Sequence, residues 1–195
     1  MKIAIVDNYT DCLPQVEQLC KSVDANTTLF SPQHISDISP PQFDLAVLSG
    51  GIWYDDTSQQ YAHYGRELSF ILHSGLPVIG ICLGMLLMAA AFGGHIEDLS
   101  HRSIGPKDIY LNQKGTSQLP NTPPKISVFE NHSKSSIALP GNLELWAESE
   151  EGAEIISHTK LPLVGVQFHP EQKTDTAAEQ IWLDLINNVT NRSNR

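Results

Sequence analysis

The chain has no concentration of positive charge: its 195 residues carry 12 lysines and arginines against 22 aspartates and glutamates, for a formal net charge of −10. Nucleic acids and anionic membranes are bound through clustered Lys and Arg, so neither is expected as a partner. No apolar run reaches the roughly 20 residues of a membrane-spanning helix, and the start Met1-Lys2-Ile3-Ala4-Ile5-Val6-Asp7 lacks the apolar segment and cleavage site of a signal peptide. A soluble, cytoplasmic chain is the expectation. Cysteine is scarce as well. Cys12, Cys20 and Cys82 are an odd number without C-x-x-C spacing, which suggests neither a disulfide framework nor a zinc site. No His/Asp/Glu cluster has ligand spacing along the chain, and Asp55-Asp56 reads as a solvated loop, so no metal is expected. There is no P-loop and no G-x-G-x-x-G, and no cofactor is called for. Without a linker or an internal repeat, residues 1–190 read as a single domain and 191–195 as a frayed tail.

What the chain does have is a regular alternation of buried strands and amphipathic helices in its first half. Lys2 to Val6, Thr27 to Phe30, Asp44 to Leu48 and Pro77 to Ile81 are short apolar runs of strand length. Leu13 to Val23 and Ser58 to His73 between them have helical spacing, and Pro32 to Pro41 is a loop with room for a short turn of helix. This pattern predicts an α/β fold, a mainly parallel central sheet with helices on both faces. After Gly94 the character changes. Lys107 to Leu111, Lys125 to Phe129, Leu143 to Ala147 and Ala153 to Ser157 read as short strands of an antiparallel extension. Leu163 to Phe168 is a last buried strand, and Thr176 to Val189 a closing helix. Ligands bind at the C-terminal ends of the strands in such sheets, which draws Asp7-Asn8, Ser49-Gly50-Gly51 and Cys82 around one crevice.

Cys82 stands out locally. Val78-Ile79-Gly80-Ile81 is a buried strand, Met85 to Phe92 is built of strong helix formers, and Gly93-Gly94 is a helix stop. A strand turning directly into a helix leaves little room at the turn. Glycines two residues before and two after, Gly80 and Gly84, relieve that crowding in the manner of a nucleophile elbow. A thiol there sits at a helix N-terminus, which favours thiolate. The plainer reading is a small buried cysteine in a core strand.

Of eight histidines, only His169 ends an apolar strand with a carboxylate two residues on. If Pro170 keeps this stretch extended, a period of two puts His169 and Glu171 on one side, and Glu171 can hold one ring nitrogen while the other faces Cys82. The order is then Cys, His, Glu. Backbone N–H groups of Leu83 and Gly51 are candidates to stabilise an oxyanion. Taken singly, a strand-end histidine, a helix-entry acid and a glycine turn are ordinary; together with the elbow they point to a nucleophilic site.

Gly80-Ile81-Cys82-Leu83-Gly84 together with Val164-Gly165-Val166-Gln167-Phe168-His169-Pro170-Glu171 closely resembles the class I (triad) glutamine amidotransferases. The resemblance spans essentially the whole chain and implies their flavodoxin-like three-layer architecture. Val6-Asp7-Asn8-Tyr9 is similar to the start of the amidotransferase subunits of anthranilate and aminodeoxychorismate synthases, and Gly50-Gly51 to the oxyanion loop of the GMP synthetase ones. Asn131-His132-Ser133 is similar to the segment whose backbone holds the amino-acid end of glutamine; otherwise it is a polar turn. The resemblance thus implies substrate contacts from Gly50, Gly51, Leu86, Asn131, His132, Ser133 and Lys134. Two positions depart from the family. Leu86 stands where a substrate-holding glutamine is usual, and Ile52 where a proline commonly follows the second glycine.

The implied activity is hydrolysis of the glutamine side-chain amide through a γ-glutamyl thioester, with ammonia passing to a separate synthetase subunit. Two alternatives stand beside it. One is a stand-alone cysteine hydrolase of γ-glutamyl or related amides, which Leu86 would suit. The other is a non-catalytic regulatory subunit on the same fold. The loops Asp7 to Asp11 and Trp53 to Gln60 are candidates to face a partner.

Overall fold

The computed structural model describes residues 1–53, 57–172 and 176–193. Strand and helix alternate through β1 (Lys2–Val6), α1 (Leu13–Lys21), β2 (Asn26–Phe30), a 3-10 turn at Pro32–Asp37, β3 (Leu45–Leu48), α2 (Thr57–His73), β4 (Val78–Ile81) and α3 (Leu83–Ala91). There follow β5 (His95–Leu111), α4 (Gln113–Gln118), β6 (Lys125–Ala138), β7 (Leu143–Ser149), β8 (Gly152–His158), β9 (Leu163–Val166) and α5 (Thr176–Ser193). The described strands make one nine-stranded sheet in the order β2-β1-β3-β4-β9-β8-β7-β5-β6. Strands β2, β1, β3, β4 and β9 run parallel, and the rest extend the sheet antiparallel from β9. The fold is therefore the α/β architecture read from the alternation.

Side chains on a strand alternate between faces, and both faces here are buried. On β1, Ile3 and Ile5 join the core under α1 and α5, with Val16, Leu19, Trp182 and Leu185. Ala4 and Val6 join the opposite core with Phe70 and Ile71 of α2 and Leu83 and Leu87 of α3. Buried on both sides, these strands read as continuous apolar runs, which makes them visible in the sequence.

The polar half differs from the sequence reading. β5 begins at His95 and β6 continues to Ala138, a long hairpin arm with register shifts near Ile96 and between Asp98 and Ser103. Most of β5 is exposed, so no apolar run marks it. Asn131-His132-Ser133 lies within β6, not in a turn. The short helix α4 carries no signal in the sequence reading; its N-cap Asn112 accepts a 2.9 Å hydrogen bond from Gly115 N. α5 runs past Val189 to Ser193, where Arg192 donates to Ser157 Oγ at 2.7 Å and to the His158 carbonyl. Residues 194–195 and Asp55-Asp56 lie outside the described residues.

Glu67 of α2 is 1 % exposed, and neither carboxylate oxygen has a hydrogen-bond partner among the described residues. Burial pushes its pKa up to about 7. A carboxyl group raised in the folded state leaves stability intact below its unfolded pKa and removes it as pH rises through the folded one. At about 1.4 kcal/mol per unit, the cost above pH 7 is on the order of 3 kcal/mol. Glu67→Gln is expected to raise Tm by several degrees at pH 8 and to leave it unchanged at pH 4; an equal shift at both pH values would show that charge burial is not the cause.

Candidate active site

Cys82 is the single residue between the end of β4 at Ile81 and the start of α3 at Leu83. Its backbone has φ 48° and ψ −101°, strain on the order of 1–3 kcal/mol for a side-chain-bearing residue. The surroundings enforce it. Cys82 N donates to the Val166 carbonyl at 2.8 Å, and its own carbonyl accepts from Leu86 N at 3.1 Å. A Cβ on Gly80 would stand 2.5 Å from the carbonyl oxygen of Gly84, and one on Gly84 would stand 2.6 Å from the Leu48 carbonyl oxygen. Both glycines are therefore demanded by contact, as the elbow requires.

His169 and Glu171 lie just beyond β9. The chain there is not extended as expected. A 3.0 Å hydrogen bond from Gln172 N to the His169 carbonyl closes a turn, and that turn, not a strand period, brings the two side chains together. His169 Nδ1 is 2.7 Å from Glu171 Oε1. A carboxylate only accepts, so Nδ1 carries the hydrogen. The imidazole packs on Gly50, where a Cβ would stand 3.2 Å from His169 Cε1 and 3.6 Å from Cys82 Cβ. Gly50 thus lies behind the histidine, leaving the gap in which imidazole and thiol meet. Burial opposes charge on His169, but the Cys82 sulfur and the Glu171 carboxylate together outweigh it and hold the imidazole well above its usual range. The sulfur acts at short range without a hydrogen bond of ordinary geometry to Nε2.

The loop after β3 is fixed from β1. Asn8 N donates to Ser49 Oγ at 2.8 Å, and Asn8 Nδ2 to the Ser49 carbonyl at 3.1 Å. A Cβ on Gly51 would stand 2.5 Å from the Asn8 carbonyl oxygen and 2.8 Å from Leu83 Cδ2, so this backbone passes tightly against the start of α3. A cleft of about 260 Å³ opens here, bordered on one side by Gly51, Ile52, Trp53, Cys82, Leu83 and Leu86. Arg102 and the β6 residues Asn131, His132, Ser133 and Lys134 border the other side. Of the residues expected from the sequence, Gly51, Cys82, Leu83, Leu86 and Asn131 to Lys134 border this space, whereas Gly50, His169 and Glu171 do not line it.

Two contributors, Arg102 and Gln167, were not read from the sequence, and Trp53, read as the start of a partner-facing loop, borders the cleft. Arg102 of β5 grips Asn131 Oδ1 through Nε at 3.0 Å and Nη2 at 2.6 Å. Gln167 is fully buried, and its Nε2 points at Cys82 Sγ from 3.7 Å. Trp53 stacks on Tyr64 with ring centroids 6.0 Å apart, and Tyr64 donates to the Ile52 carbonyl. Gln167 lies within the recognised motif, but nothing in its polarity announces a contact with the thiol; Arg102 lies in a stretch with no assigned element. Tyr54 and the partner-facing loop as far as Asp56 fall outside the described residues. A separate gathering, Glu130, His132 and Glu154, is also formed by the fold, at a separation that spacing along the chain does not reveal.

An elbow cysteine beside a buried His–Glu pair, on a doubly covered parallel sheet, is an arrangement able to attack a carbonyl carbon through sulfur. The model of the class-I glutamine amidotransferase family matches residues 4–187, and the chain belongs to that family of enzymes. It is 27 % identical over 188 residues to a glutamine-hydrolyzing GMP synthase subunit of Methanosarcina barkeri, covering 95 % of each chain. To the corresponding GMP synthase subunit of Methanococcus aeolicus it is 32 % identical over 135 residues, 68 % of each chain. A solved structure from Thermoplasma acidophilum, described as a GMP synthase subunit, superposes with a TM-score of 0.84 at 24 % identity, covering 98 % of this chain and 94 % of the other. That last likeness speaks for the fold. Among the described residues no helix is long and apolar enough to cross a membrane.

Glu171→Gln removes the carboxylate that helps keep His169 protonated. In an NMR titration of the labelled imidazole, wild-type His169 is expected to stay protonated through neutral pH and the variant to titrate at lower pH; coincident titrations would show that Glu171 does not govern the ring.

Proposed function

We propose that this chain hydrolyses the side-chain amide of glutamine, with Cys82 as nucleophile. The observation that carries the reading is the strained thiol at the start of α3 beside a buried His169–Glu171 pair. The thiolate attacks the amide carbon, and negative charge moves to the carbonyl oxygen, where the N–H groups of Gly51 and Leu83 are the candidate donors. His169, kept as imidazolium, protonates the departing nitrogen, and ammonia leaves a γ-glutamyl thioester. The neutral imidazole then takes a proton from water, the hydroxide attacks the thioester, and glutamate departs as the thiolate is restored. Glu171 orients the ring throughout. Gln167 is a positioning residue for the sulfur.

The amino-acid end of the substrate lies, on this reading, along Asn131 to Lys134, with the Arg102 guanidinium available to its carboxylate. Leu86 borders the cleft and is 3 % exposed, so it offers shape without hydrogen bonds. That observation supports the second reading, a related γ-glutamyl amide as substrate. Ammonia would pass to a separate synthetase chain, a reading supported by relatives that are themselves named as parts of GMP synthase. A free catalytic thiol suits the reducing cytoplasm.

Glutamate release from glutamine, measured with and without a candidate synthetase, tests the reading. Cys82→Ala should abolish it, and His169→Ala should lower kcat by about 10²–10⁴-fold. Undiminished turnover in Cys82→Ala overturns the mechanism, and a regulatory subunit would leave Cys82 unlabelled by a glutamine-analogue electrophile. Leu86→Gln should lower KM for glutamine with little change in kcat; an unchanged KM would mean that another group already holds the substrate at that point.

A further inference from the structure

Behind the β6 wall of the cleft lies a second polar centre that the proposed reaction does not use. Glu130 and His132 are two residues apart on β6, so their side chains leave the same face of the strand. Glu154 enters the same space from β8. One ligand atom from each lies within 4.8 Å of the other two, and the three residues are 0 %, 5 % and 1 % exposed. Both oxygens of Glu130, Oε2 of Glu154 and Nε2 of His132 have no hydrogen-bond partner among the described residues. Glu151 adds a carboxylate oxygen 3.8 Å from His132 Nε2, while its other oxygen faces Lys107 Nζ at 3.5 Å and His101 Nε2 at 3.6 Å.

The histidine is oriented by its backbone partner. His132 Nδ1 is 2.8 Å from the Lys134 carbonyl, which can only accept, so Nδ1 carries the hydrogen. Nε2 is thereby turned inward, 3.0 Å from Glu130 Oε2. A ring nitrogen lone pair buried against carboxylates is unfavourable unless a proton or a metal ion stands between them. A histidine whose outer nitrogen donates to a backbone carbonyl is oriented as metal-binding histidines are. The spacing fits as well, since two ligands about 2.1 Å from an ion and at right angles to each other stand about 3.0 Å apart.

We propose that Glu130, His132 and Glu154 bind one divalent first-row metal ion, with manganese(II), a hard ion suited to a set of two carboxylates that also accepts an imidazole, as the representative. A proton on His132 would bring one positive charge to the surrounding carboxylates; a dication brings two and also occupies the orphaned oxygens. Because His132 also borders the cleft between Asn131 and Ser133, the ion ties down the strand segment that forms the cleft wall.

The full-length chain, stripped of metal with a chelator, is titrated with Mn²⁺ by calorimetry. One ion per chain is expected, together with a rise in Tm. Glu130→Gln and Glu154→Gln should each weaken binding by at least about 100-fold and abolish the Tm response. Anomalous scattering from Mn²⁺-soaked crystals of the unaltered chain needs no variant, and should find the ion between Glu130, His132 and Glu154. Failure of the unaltered chain to take up Mn²⁺ stoichiometrically, binding undiminished in both variants, or an ion found only elsewhere would overturn the proposal.

Discussion

The structure depends on how closely α3 approaches the sheet. A helix that begins one residue after a central strand has its first turn pressed onto that strand and its neighbour, and only missing side chains make this possible. Gly80 yields to the backbone of Gly84, Gly84 to Leu48, and Gly165 on the adjacent strand to Met85, whose Cγ would stand 2.7 Å from an added Cβ. The left-handed backbone at Cys82 follows from that contact. Such strain persists only where the surrounding structure over-determines it, here through hydrogen bonds on both sides of the residue and an apolar core on both faces of β4.

The antiparallel half is organised around the same point. β9 pairs with β4 and carries Gln167 and His169 to the thiol, and β6 holds the turn after β9 through a 2.8 Å bond from His169 N to the Phe129 carbonyl. The residues after Phe129 on β6 then wall the cleft. One strand thus supports the imidazole, borders the space in front of the thiol and supplies two of the three groups in the buried acidic centre. A shift of β6 along its own axis would disturb all three.

Much of this is legible in the sequence, for reasons that differ by region. Strands buried on both faces must be apolar throughout, so β1, β3, β4 and β9 announce themselves, and helices between them force the parallel order. Cys82 is legible because the glycines around it have a steric cause acting over four residues. His169 and Glu171 pair as the sequence suggests, though for a different geometric reason, a turn in place of an extended stretch. β5 and the far half of β6 are not legible, since a hairpin arm mostly open to solvent carries neither an apolar run nor strict alternation. Arg102 and Gln167 escape notice because their roles arise from contacts across the chain, 29 residues in one case and 85 in the other. The same holds for Glu154, which comes toward Glu130 through the stretch after β9, where Gln167 N donates to the Glu154 carbonyl and His169 N to that of Phe129.

The position of β9 has a bearing on how the molecule comes into being. It occupies the centre of the sheet, between β4 and β8, yet it comes last in sequence among the described strands. Until it docks, β4 presents an unpaired edge, and the thiol has neither Gln167 nor His169 beside it. Closing that gap requires contacts of long sequence separation, which form late and slowly in folding. The centre of the sheet and the site are therefore completed together, and a chain released from the ribosome short of residue 171 carries an idle cysteine in an open sheet rather than a weakened version of the finished site.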